Sequence, residues 1–136
     1  MSIYLLEVSY TSEAWAEMVR NPQDRARAVR DAVERLGGKV GSFWTSLGEY
    51  DLVGVISMPD SISAAAFGMA VSAGGACKAV KTTPLLTMNE GMEAMAKAST
   101  CGYEPVGGKR QVNETEAGSS QPGERSYPAN DVKQNH

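Results

Sequence analysis

Three stretches of this chain read as β-strands with apolar residues on both of their faces, and few architectures satisfy such strands. Residues 3–10 set Tyr4, Leu6, Val8 and Tyr10 on one side against Ile3, Leu5, Glu7 and Ser9 on the other. Residues 39–47 divide Phe43 and Leu47 from Val40 and Trp44, and residues 50–58 divide Val53 and Val55 from Leu52, Ile56 and Met58. A strand with one wet face alternates apolar with polar; these do not. The sheet they form needs cover on both sides. With 136 residues the chain is sized for one domain, whose own helices can cover one side only.

The segments between the strands carry helical spacing. Thr11 or Ser12 can cap a helix running through Trp15, Met18 and Val19. Asn21-Pro22 should break it and cap a second segment, whose Ala26, Val29, Val33 and Leu36 share one stripe before Gly37-Gly38. Gly48-Glu49 reads as the turn of a hairpin. After Pro59, Asp60 or Ser61 caps a helix with Ile62, Ala65, Ala66, Met69 and Ala73 as its stripe, ending at Gly74-Gly75. A fourth strand is expected over 78–83, with Pro84 placing its end at an edge. A last helix, 89–99, spaces Met88, Met92 and Met95 as a docking surface.

The order βαββαβ is that of a ferredoxin-like α+β sandwich, an antiparallel sheet with two helices on one face. Its bare face would expose Ile3, Leu5 and Trp44 together, a patch larger than soluble monomers tolerate. Packing against the same face of a second copy gives a two-fold homodimer, with room for a small apolar ligand between the sheets.

Composition limits the partners. Charged residues are 21% of the chain and the net charge is -3, so no nucleic acid and no basic reading surface are expected. The single His is His136, the last residue, which removes the usual general base; no metal and no cofactor are expected. The glycine pairs lack the Walker Lys-Ser/Thr and the GxGxxG spacing. Neither a signal segment nor a membrane span is visible, so a cytoplasmic location is expected. Cys77 and Cys101 form no CxxC and read as incidental thiols. Beyond residue 101 apolar residues thin out among glycines and prolines; residues 1–101 are read as the folded domain and 102–136 as a disordered tail.

Residues 39–60, KVGSFWTSLGEYDLVGVISMPD, resemble the GYD domain, with Gly48, Tyr50 and Asp51 as its signature and Glu49 interposed. The resemblance extends over about residues 3–98, through the Gly37-Gly38-Lys39 start of the second strand and Val80-Lys81-Thr82-Thr83. It implies a dimeric α+β barrel, related in shape to stress-responsive barrels, cofactor-free monooxygenases and amino-acid-sensing domains. The family has no established activity, so the resemblance implies an architecture and leaves function open.

Candidate ligand-binding residues follow from position. Glu7 stands on the sheet face assigned to the dimer interior, where a carboxylate would be desolvated. Trp44 on the same face can stack on a ligand or anchor the interface. Tyr50 and Asp51 open the third strand beside the glycine turn, as a phenol and carboxylate pair or as packing and backbone-capping groups. The favoured function is binding of a small metabolite or protein partner at the sheet face. The alternative is a cofactor-independent enzyme of monooxygenase or isomerase type using the same cleft.

Overall fold

Alternation in the first strand decides where the core lies. In the computed structural model, which describes residues 1–107, β1 (Ser2–Tyr10) buries Tyr4, Leu6, Val8 and Tyr10 on one face. It is followed by α1 (Ser12–Arg20), α2 (Arg25–Arg35), β2 (Lys39–Thr45), β3 (Leu52–Met58), α3 (Ser61–Ala73), β4 (Cys77–Leu85) and α4 (Met88–Ala98). The sheet order is β2-β3-β1-β4 with every neighbouring pair antiparallel, which is the ferredoxin-like arrangement. The chain divides into two units after Gly91, inside α4. Of the tail expected over 102–136, residues 108–136 lie outside the described residues.

The core is built by β1 and β3 with one helix from each crossover. Leu52, Ile56 and Met58 of β3 join the β1 residues, Val33 comes from α2, and Ala64 and Phe67 come from α3. Burying each of the larger side chains contributes about 1.5–3 kcal/mol. Helix starts are fixed by side-chain oxygens that take otherwise unpaired N–H groups. Thr11 Oγ1 accepts from the Ala14 N–H at 3.1 Å, and Asp60 Oδ1 accepts from the Ser63 N–H at 2.7 Å. At α4 the Thr87 hydroxyl accepts from the Glu90 N–H while Glu90 accepts from the Thr87 N–H, a reciprocal capping box.

Four expectations are corrected. Asn21 does not cap α2: it closes α1, its N–H donating to the Glu17 carbonyl, and Asp24 Oδ1 takes the Ala26 N–H instead. The stripe of α3 is turned. Ile62 and Met69 are 80% and 71% exposed, and Ala64 and Phe67 face the sheet, with Val71 packed beside them. In β2 a bulge sets Gly41 and Ser42 opposite Val55 alone, so Val40 and Phe43 both pack toward the core rather than on opposite faces. The β2–β3 connection is longer than a two-residue turn, running from Ser46 to Asp51 and leaving Leu47 fully exposed. It is closed by the Ser46 N–H donating to the Asp51 carbonyl at 2.9 Å.

Two glycines permit close approach. A Cβ on Gly54 would collide with the Phe43 ring, so the bulged strand's aromatic side chain lies where that carbon would be. Gly37 adopts φ 86° and Gly38 donates to the Val33 carbonyl, ending α2 in a Schellman motif. Pro84 stands within β4 opposite Tyr4, tolerated because β4 is an edge strand.

Candidate functional site

The Gly48–Asp51 loop is fastened to the end of β1. Its Asp51 N–H donates to the Val8 carbonyl at 2.8 Å, and Ser9 Oγ donates to the Glu49 carbonyl at 3.1 Å. Asp51 Oδ2 then accepts two N–H groups, from the Tyr10 backbone at 2.9 Å and the Trp15 indole at 3.2 Å. The indole meets the Tyr10 ring edge to face at 5.6 Å, so one carboxylate joins the end of β1 to α1.

This junction is one wall of a cleft of about 300 Å³. Trp15 and Met18 of α1, the Pro22–Ala26 segment, Phe43 and Trp44 of β2, and Asp51 line it. A second, more apolar concavity of about 230 Å³ lies between α2, α3 and the sheet, lined by Leu6, Val8, Val29, Phe67, Val71 and Cys77 among others. Tyr10, Arg25 and Leu52 belong to both walls. The two share part of their walls; the first, with aromatic and polar walls, is called the outer lobe and the second, an open groove with mostly apolar walls, the inner lobe.

Electrostatics at the junction keep its protons in place. Burial pushes the Tyr10 phenol above its ordinary value, Cys77 and Asp51 add to that, and Arg25 opposes it. Burial likewise pushes the Cys77 thiol up, again against Arg25. Both groups are thus neutral donors at pH 7. The Arg25 guanidinium donates to Gln23 Oε1 at 3.1 Å and has no carboxylate within ion-pair distance among the described residues.

The four residues singled out from the sequence are separated. Asp51 lines the outer lobe; Trp44, 60% exposed, stands at its margin, and its register opposite Val53 sets it on the same sheet face as Glu7, as expected. Tyr50 is half-buried in the loop and lines neither lobe. Glu7 lies on the sheet face opposite α2 and α3, between Val53 of β3 and Lys81 of β4, and lines neither lobe. That face continues through Ile3, Leu5, Val55 and Leu85, with Ile3 and Leu85 38% and 39% exposed. Tyr10, Arg25 and Cys77 are not among the sequence candidates, because β1, α2 and β4 bring them together only on folding. The signal in the sequence is Arg25 itself, a cation in a first helical turn that holds no acid.

Among the described residues no group of His, Cys, Asp and Glu is arranged to hold a metal ion, and no helix is long and apolar enough to cross a membrane. A family model, the GYD domain, matches residues 4–95. Nothing matches among curated proteins or among solved structures.

Proposed function

From the premise that this chain belongs to the GYD domain family, residues 4–95 carrying the match, we propose that it works as a homodimer that binds a small, mostly apolar molecule. The observation that carries the binding role is the pair of adjoining lobes sharing Tyr10, Arg25 and Leu52. Small-molecule sites are concave, apolar over most of their surface, and polar at a few convergent points. The inner lobe supplies the apolar walls; Tyr10 and Arg25 supply the polar points. Binding is favoured over catalysis because Tyr10 and Cys77 are both held toward their protonated forms, so neither serves as a base or nucleophile at neutral pH.

The homodimer is supported by the other side of the sheet. Ile3, Leu5, Val53, Val55 and Leu85 make an apolar centre there, and a two-fold contact would set this patch against its own copy. Glu7 and Trp44, which flank Val53 on that face, belong to that contact in this reading, while Asp51 keeps a role at the outer lobe.

The test is native mass spectrometry of protein purified without detergent, with titration by Nile red as a neutral apolar probe. A dimer carrying a small adduct or binding Nile red is expected, with either signal lost when Ala70→Leu fills the inner lobe and the dimer persists. A chain that carries no adduct and ignores Nile red overturns the binding role. A monomer at micromolar concentration overturns the dimer.

A further inference from the structure

The two lobes differ in charge, and that difference narrows the chemistry of the occupant. We propose that the inner lobe takes a small monocarboxylate, its apolar body among Leu6, Val29, Phe67 and Val71 and its carboxylate at Arg25 and the Tyr10 hydroxyl. The proposal rests on the binding role argued above and adds the ligand's class.

Among the described residues Arg25 is the only charged one in the inner lobe's wall. Arg25 is exposed at the rim of this groove, and its guanidinium matches a carboxylate with two parallel N–H donors. The acids nearby are already engaged. Asp51 Oδ2 accepts from the Tyr10 and Trp15 N–H groups, and Asp24 Oδ1 accepts from the Ala26 N–H. Both acids border the outer lobe and neither borders the inner one. Arg25 donates to the Gln23 side chain and adjoins the Tyr10 phenol, and it shares the outer lobe's wall with Asp24 and Asp51.

Arg25 opens α2 directly after the acid that caps it, Asp24, whose Oδ1 is held by the Ala26 N–H. An anion at this point would be favoured by the guanidinium. The Tyr10 phenol stays protonated and has a hydroxyl to donate. Volume sets the upper size: about 230 Å³ admits a short aliphatic or single-ring body and excludes a nucleotide.

Calorimetric titration of the full chain with octanoate and with octanol separates the class from the site. Octanoate should bind at least tenfold more tightly than octanol, and Arg25→Gln should erase that preference. Arg25→Lys should retain part of it, since a point charge replaces the fork. Phenylacetate in parallel distinguishes a ring from a chain as the apolar body. Equal binding of octanoate and octanol by the unaltered protein overturns the carboxylate proposal and leaves the binding role standing. Failure of octanoate, octanol, phenylacetate and Nile red alike overturns both. The comparison of octanoate with octanol uses the unaltered chain, so it holds even if Arg25→Gln does not fold.

Discussion

At the residue scale, Asp51 shows a signature acid working through N–H groups. One carboxylate oxygen serves the Tyr10 backbone and the Trp15 indole, so Asp51→Ala leaves two donors without their acceptor. We expect a loss of about 1–3 kcal/mol in urea unfolding, and a smaller one for Asp51→Asn, which keeps an oxygen at the site. Trp15 fluorescence should change in both variants. Tyr10 gives a pH test. Its pKa is raised by burial from the ordinary 10.0, so the folded chain holds a proton that the unfolded chain releases. The stabilisation is complete below pH 10.0 and is lost as pH rises through the higher folded value. Tyr10→Phe should flatten that alkaline loss, measured as unfolding free energy at neutral and alkaline pH. Asp51 was legible in the sequence as a backbone acceptor beside a turn. Its indole partner was not, because Trp15 lies on another element.

At the element scale, how well the sequence could be read depended on how much polar contrast each segment offers. The two faces of β1 and β3 were separable by period two, although both are apolar, and burial alternates along the whole of β3. Helix α3, SISAAAFGMAVSA, contains no charged residue to mark its wet side. Spacing alone therefore puts Ile62 and Met69 in its stripe, whereas the sheet takes Ala64 and Phe67. Phe67→Ala should cost about 3–5 kcal/mol in thermal or denaturant unfolding, and Ile62→Lys should cost almost nothing. The bulge in β2 was equally hidden, since a single extra residue leaves no compositional trace. Gly54 is its structural counterpart. Gly54→Ala should destabilise the hairpin by about 1–3 kcal/mol through collision with Phe43, and Phe43→Leu should recover part of that loss in a double-mutant cycle. The cleft was out of reach for a related reason: Tyr10, Arg25 and Cys77 stand far apart in the chain, and no spacing rule joins them.

For the molecule as a whole, the proposed roles divide between the two sides of the sheet. The helix side holds the lobes, and the opposite side holds the self-contact. A charge introduced at the centre of that second side, as in Leu5→Lys, should give half the mass by light scattering while Nile red binding survives. A variant that loses both together would place the lobes under the dimer's control. The topology was legible because its element order admits few arrangements, whereas face-to-face assembly depends on a second chain. The edges of the sheet carry a consequence of their own. Pro84 removes a ladder donor from β4, and the Gly41–Ser42 bulge interrupts β2 at the other margin. Sideways addition of further strands, the route to open-ended fibres, is thereby blocked at both margins. If the proposed self-contact forms, blunted margins let the molecule pair once and then stop growing, so raising its concentration should fill the paired state without seeding polymer.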